Sequence, residues 1–351
     1  MPSTLRKLAL QALTHIGVLF AVLILMVVSL GATGFSDNQL RAQVSEELRA
    51  LRQSLAQTTR DPIELERVVL DLRRERESFY GLDKPWYVRM PPQVLNVLRL
   101  DLGEARSVRT ADGSRDVGAI VRERLPYTIG LLTTSLILTA VAGLLIGVRM
   151  ATQVGSRLDR LLSFVGAVSS ALPAWWLGIL LILFLAYRLQ LLPSGGMYST
   201  PPPADGWPRA LDLGYHAILP ILTLTLVGIG PYAYAVRTMT VTAAQEDHVQ
   251  LARAKGLDEG QVTRRHILRV AAPPIVTGLI LSLGGSLGGS ILVETIFRWQ
   301  GMGQLYFEVA AGQPDEAVIV ALTFVFTLIY VVSRFALDII YVLLDPRVRY
   351  G

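Results

Sequence analysis

Long apolar runs alternate with polar segments along the whole chain. The runs fall at about Leu8–Ala32, Tyr127–Val148, Leu161–Ala186, Ala217–Val236, Pro274–Phe297 and Ala317–Leu344. Each reaches or approaches the roughly 20 helical residues that a ~30 Å hydrocarbon core demands. The pattern predicts an all-α integral membrane protein with about six transmembrane helices. Glycine and proline recur inside the runs, at Gly143, Pro173, Gly178, Pro220, Pro231 and the Gly284–Gly289 stretch. Lipid tolerates them where neighbouring helices approach closely, so a packed bundle is expected rather than separate anchors.

The polar segments are of three kinds. Thr33–Arg124 is mixed-charge, and within it Gln39–Gln57 and Ile63–Glu77 carry Leu, Val and Ile at helical spacing on either side of Asp61-Pro62. That spacing predicts a two-helix excursion whose apolar stripe either packs its own neighbour or binds a partner. Tyr187–Tyr215 is rich in proline and glycine and reads as an irregular loop. Gln245–Val276, "QEDHVQLARAKGLDEGQVTRRHILRVAAPPIV", is too long for a turn and too polar to span. In it Glu246–Lys255 reads as a helix, Gly256 as its left-handed C-cap and Glu259–Arg269 as a second helix, with Pro273-Pro274 opening span five. Such a projection is either a rigid knob for a soluble partner or a solvated connector with cationic flanks. The chain therefore divides into 1–32 (N-terminal end and first span), 33–124 (excursion) and 125–351 (remaining spans, with the polar loop at 243–272).

Charge adds a direction. Arg6 and Lys7 precede the first run, which is much longer than the 7–15 apolar residues of a cleaved signal, so a retained anchor is expected. Arg149, Arg157 and Arg160 lie between spans two and three. Arg237, Arg253, Lys255, Arg264, Arg265 and Arg269 lie between spans four and five, and Arg347 and Arg349 follow span six. All fall on the side of Arg6 and Lys7 if both termini are cytoplasmic, which makes 33–124 a large extracytoplasmic segment between helices one and two and puts Tyr187–Tyr215 outside as well. Only 17% of residues are charged, against about 25% in soluble domains, and the net charge of +5 is the excess expected of such loops. No basic run is interleaved with stacking aromatics, so nucleic acid is not an expected partner. The absence of cysteine excludes disulfides, zinc–thiolate sites and cysteine nucleophiles.

Several ordered strings resemble one known family. "ARAKGL" at Ala252–Leu257, "RRHILR" at Arg264–Arg269 and Pro274 look like the coupling loop of ATP-binding-cassette importer permeases. More specifically, the chain resembles the B-type permease of dipeptide, oligopeptide and nickel importers. The match includes "YGLDKPW" from Tyr80, "LDLGEA" from Leu100, "ERLPYT" from Glu123, "SRLDR" from Ser156 and "LPAWWLG" from Leu172. It continues through "LPSGGM" from Leu192, "HAILP" from His216, "LVETIFRWQGMG" from Leu292 and "LLDPRVR" from Leu343.

The resemblance implies a type I importer permease fold in a bacterial or archaeal cytoplasmic membrane. It implies three kinds of partner: a second, C-type permease, two cytoplasmic ATPases that bind ATP and Mg, and an extracytoplasmic substrate-binding protein. Ala252, Arg253, Ala254, Lys255 and Gly256 would form the core of the ATPase-docking motif, with Glu246, Asp247 and His266 beside it. Where the general family pattern has Glu-Ala-Ala, this chain has Gln250, Leu251 and Ala252; Glu246 and Asp247 would supply the acid one turn earlier. No GxxxxGK[ST] phosphate loop occurs, so no cofactor and no catalysis are expected in this subunit.

Ionisable groups at membrane depth point to function. Arg334 and Asp338, at i and i+4 in span six, read as an intramembrane ion pair or a substrate contact. Glu294 near one end of span five reads as a contact for a peptide ammonium or binding protein, or as a hydrogen-bonding group for a neighbouring helix. Ser282 and Ser286 with their flanking glycines make a small-residue face, for helix packing or for a translocation pathway that Tyr232 and Tyr234 would also line. His15, His216, His248 and His266 form no HExxH pair, so no metal site is expected. The competing reading is an ATPase-independent secondary transporter or channel, for which inverted repeats and relay carboxylates beyond Asp338 are not evident. An intramembrane enzyme lacks a nucleophile–base pair. Dipeptide, longer peptide, peptide antibiotic, oligosaccharide and chelated nickel all remain open as cargo.

Overall fold

The computed structural model describes residues 2–55, 61–312 and 315–344, and every regular element among them is a helix. Two compact units emerge. One comprises Ile16–Ile120 and Val309–Thr327; the other comprises the residues through His15, Val121–Glu308 and those from Leu328 onward.

The part of α1 (Pro2–Ala32) from Ile16 onward belongs to the first unit, where it buries Leu19, Leu23 and Val27, one turn apart, and exposes Ile24, Leu25 and Val28. A helix apolar on all sides suits a lipid surround. The expected two-helix excursion is present as α2 (Phe35–Leu55) and α3 (Pro62–Phe79). Asp61 caps α3 by accepting from the Ile63 N–H at 2.9 Å, and Pro62 occupies the first turn, where its missing N–H is harmless. Leu40, Val44 and Leu48 form the buried stripe of α2, which packs on α3. The Tyr80 hydroxyl then donates to Glu47 at 2.7 Å. Burial first, and the adjacent Glu47 carboxylate second, raise the Tyr80 pKa. A further helix, α4 (Trp86–Leu98), follows where periodicity had predicted none. Asp315 is buried and accepts from the N–H groups of Arg106 and Ser107.

The second unit holds α5 (Val117–Thr152) from Val121 onward, α6 (Arg157–Ala171), α7 (Ala174–Leu181) and a π-helical turn (Ile182–Arg188). After a loop come α8 (Trp207–Ala244), α9 (Asp247–Ala254) and α10 (Glu259–Gln261). A second π-helical turn (Val262–Ile267) leads into α11 (Leu268–Ile296), then α12 (Met302–Phe307) and α13 (Glu316–Leu344), which begins in the first unit.

Three expectations are corrected here. The run Leu161–Ala186 is not one straight span: α6 and α7 meet at 103°. Pro173 forces the break, because the residue before proline is steered out of the helical region, and Leu172 has ψ 124°. Helix α8 starts at Trp207, ten residues before its apolar run, so the irregular loop is shorter than its composition suggests. Pro273 and Pro274 lie inside α11 rather than opening it. Among the described residues four helices are long and apolar enough to cross a membrane, or five if α6 and α7 form one bent span. The remaining expected span falls on α11, where the side chains of 280–289 lie outside the described residues.

The crossing of α6 and α8 shows how the prolines are accommodated. Pro231 has no N–H for the carbonyl of Val227 one turn back. The Ser169 hydroxyl of α6 donates to that carbonyl at 2.9 Å. It can reach because Gly166 and Gly230 let the two backbones touch: a Cβ on Gly230 would sit 2.7 Å from the Gly166 Cα. This is the small-residue packing by which membrane helices satisfy broken backbones.

Candidate functional site

The polar loop between α8 and α11 is a built structure, not a solvated connector. Val249 and Ala252 of α9 are buried in one apolar cluster with Val236 and Ala243 of α8, Val262 and Ile267 of the π-helical turn, and Ala271 and Ile275 of α11. Helix α9 ends at Ala254 with Lys255 as its C-cap, and Gly256 follows with φ +76°, a left-handed conformation that glycine adopts without a steric penalty. Asp258 then caps α10 by accepting from the Gly260 N–H at 2.9 Å. Across this turn Arg253 clasps Glu259 through two hydrogen bonds, of 2.8 and 3.3 Å.

The motif residues therefore split into two groups. Glu246, Asp247, Arg253, Ala254, Lys255 and Gly256 are exposed, joined by Leu251 at 57%. Ala252, expected to face a partner, is instead buried against its own chain. The Arg253 guanidinium is held by Glu259, leaving Lys255 as the motif cation that enters no ion pair among the described residues. His266 is half-buried; its carbonyl lies 3.3 Å from His248 Nε2, and His248 Nδ1 is 3.2 Å from Glu246.

One residue along α8 from the cluster sits a group that sequence reasoning had not singled out. Arg237, counted there as a loop cation, makes a two-point ion pair with Asp159 at 2.5 and 2.7 Å. Asp159 also accepts from the Gly155 N–H at 2.9 Å and is almost wholly buried. The pair fastens the start of α6 to α8. The signal was Asp159 inside "SRLDR", a lone acid among arginines.

Of the residues expected along a pathway, the three whose side chains are described, Tyr232, Tyr234 and Glu294, are not gathered in one place. A cavity of about 370 Å³ lies between α5, α8 and α11, and Tyr232 lines it beside Pro231. Its wall is mostly carbon, and the Ser135 hydroxyl within it donates to the Leu131 carbonyl at 2.7 Å. Tyr234 is not among its lining residues; its ring is half-exposed, with the Arg237 guanidinium 6.0 Å away. The side chains of Ser282 and Ser286 lie outside the described residues. Glu294 is completely enclosed rather than open to a passing solute. It accepts from the N–H groups of Gly303 (2.8 Å) and Gln304 (3.2 Å) and from the Thr128 hydroxyl (3.0 Å).

The expected Arg334–Asp338 pair is also corrected. Asp338 meets His15, whose Nε2 lies 3.0 Å from the carboxylate, and Phe335 places its ring edge-on to the imidazole at 6.5 Å. The i,i+4 spacing had suggested an intrahelical partner; the N-terminal helix supplies a different one. His216 is buried and has its Nδ1 2.9 Å from the Asp212 carbonyl. Among the described residues no group of three His, Cys, Asp or Glu could hold a metal.

Comparison with known proteins places this architecture. Residues 143–350 match the family described as binding-protein-dependent transport system inner membrane component. The oligopeptide transport system permease protein AppB of Bacillus subtilis is 32% identical over 279 residues, which is 79% of this chain and 85% of that protein. The glutathione transport system permease protein GsiC of Escherichia coli K12 is 32% identical over 282 residues, or 80% and 85% of the two chains. An inward-facing structure of the MetNI methionine ABC transporter superposes with a TM-score of 0.53 at 18% identity, over 65% of this chain and 97% of that one. The shared fold, the family match over most of the second unit and the two permease relatives agree. The chain belongs to the binding-protein-dependent transport inner membrane components, as a multi-pass permease subunit of an ATP-binding-cassette importer.

Proposed function

We propose that this permease forms half of a translocation pathway for peptides or peptide-like solutes, driven through the α9–Gly256 turn by separate ATPases. The observation that carries the coupling role is the division of the loop. Its inner residues share one apolar cluster with α8 and α11, while Leu251, Ala254 and Lys255 are left exposed. A push on the exposed side reaches two long helices at once. In the same reading both termini are cytoplasmic, a C-type permease completes the pathway, and an extracytoplasmic binding protein delivers the cargo. ATP and Mg belong to the ATPases, and this subunit performs no catalysis. The peptide class is supported by the oligopeptide and glutathione permeases that resemble the chain along most of its length.

The test compares the parent with Gly256→Val in co-purification with the cognate ATPase and in ATP turnover. A β-branched residue is strained at φ +76°. The parent is expected to bind the ATPase and alter its turnover, and the variant to lose both while remaining folded. A parent that does neither overturns the coupling role. If the cognate binding protein binds no di-, tri- or oligopeptide, the peptide assignment falls on its own.

A further inference from the structure

Helix α4 has two apolar sides, and its own chain covers only one of them. Val97 is buried, and the Trp86 indole lies so close to Gly31 that a Cβ there would overlap the ring. The other side presents Tyr87 (62% exposed), Val88 (50%), Leu95 (54%), Pro91 and Pro92. At about 100° per residue these five positions fall within a single arc of roughly 140°. Beyond the helix Leu100, with φ 64°, is 71% exposed.

Two features of the fold say what covers this face. The first is continuity. Gly31 lies at the end of the apolar span Leu8–Ala32, whose Ile24, Leu25 and Val28 are themselves exposed. Trp86 on Gly31 therefore starts α4 at the level where a lipid-facing surface ends. The second is the proline pair. Pro91 and Pro92 lack the N–H groups that the carbonyls of Tyr87 and Val88 would receive in a regular helix. Such carbonyls cannot sit in hydrocarbon but can accept from water among headgroups. Tyrosine and tryptophan prefer that same depth.

We infer that α4 is an interfacial helix, docked on the bilayer surface beside the end of α1, with the Tyr87–Leu95 face in the boundary between headgroups and acyl chains. The exposed cation Arg99, just past the helix, stands where it can reach lipid phosphates.

The chain has no cysteine, so single nitroxide labels can be placed without background from this subunit. The intact chain, assembled with its partners in liposomes, is labelled at Val88→Cys, Leu95→Cys and, as the polar control, Asn96→Cys. Accessibility to oxygen and to a water-soluble nickel chelate is read by power saturation, with the unsubstituted complex as the blank. Labels at 88 and 95 are expected to give an oxygen-to-nickel ratio several-fold above that at 96, as immersion of one helix face in the interface requires. Ratios equal to the control place the face in water and overturn the inference. Protection from both reagents at 88 and 95 overturns it too, because a protein surface, the second permease for instance, then covers the helix. Size exclusion of each labelled complex establishes assembly before the readings are compared.

Discussion

Replacing Glu294 separates a structural carboxylate from a cargo contact. Helix α12 begins at Met302 after Gly301, which has no side chain with which to cap it. Its first N–H groups are met from elsewhere: Met302 donates to the Thr128 hydroxyl at 2.7 Å, and Gly303 and Gln304 donate to Glu294. Thr128 is tied in turn to the same carboxylate. Glu294→Ala removes the acceptor from two backbone donors and from the hydroxyls of Thr128 and Ser290, all inside the protein. Each unmet donor costs about 1–3 kcal/mol, so the variant should lose about 4 kcal/mol once water entering the vacated space is allowed for. Glu294→Gln keeps an oxygen for both N–H groups, and its amide can donate to Thr128. It forfeits only the charge assistance, about 1 kcal/mol. A kcal/mol shifts the melting midpoint of a body this size by about 2–4 °C. The alanine variant should therefore melt about 10 °C lower in detergent, followed by size exclusion of a fluorescent fusion, and the glutamine variant only a few degrees lower. Uptake by the glutamine variant should persist. The reasoning is refuted if alanine melts with the parent. It is refuted as well if glutamine melts normally yet transport is lost, since the charge would then be meeting the cargo.

Further outcomes follow from the packing. Asp159→Ala leaves the Arg237 guanidinium, only 19% exposed, without its partner and should cost about 3 kcal/mol. Exchanging both residues for apolar ones should restore part of that loss in the same melting assay, and a double variant worse than the single would contradict it. Gly230→Leu must push α6 away from α8 and should abolish the folded permease. By contrast Gly214→Ala, whose Cβ meets nothing within 4 Å, should be neutral or stabilising by about 0.5–1 kcal/mol as judged by expression and melting.

What the sequence made legible was whatever depends on local periodicity or on short-range chemistry. The excursion helices, the Asp61-Pro62 start and the positive φ of Gly256 all follow from residues within a turn of each other. Helix α4 was missed because a proline pair interrupts it and lowers its propensity, although Arg89, Gln93 and Asn96 recur on one narrow polar stripe and so mark an amphipathic period. Thr128 beside Glu294, His15 beside Asp338 and Asp159 beside Arg237 were missed for another reason. Each lies on a different helix, 166, 323 and 78 positions away, and no local pattern encodes such a distance. The i,i+4 rule even named the wrong partner for Asp338, because it ranks neighbours on one helix and ignores helices that dock beside it. The bend before Pro173 was visible as a proline, but hydropathy averages over a break and reports a single run.

The inward orientation of Ala252 bears on how this loop can change over evolutionary time. A residue that touches a second protein can drift in step with it, each substitution answered by one across the interface. In the proposed coupling role, Leu251, Ala254 and Lys255 are the exposed residues free to drift in that way with the ATPase. Ala252 is not, because its neighbours Val249, Val262 and Ile267 belong to the same gene. Its size is set by its own fold, and a lineage that exchanged one ATPase for another would keep that alanine while rewriting the residues around it.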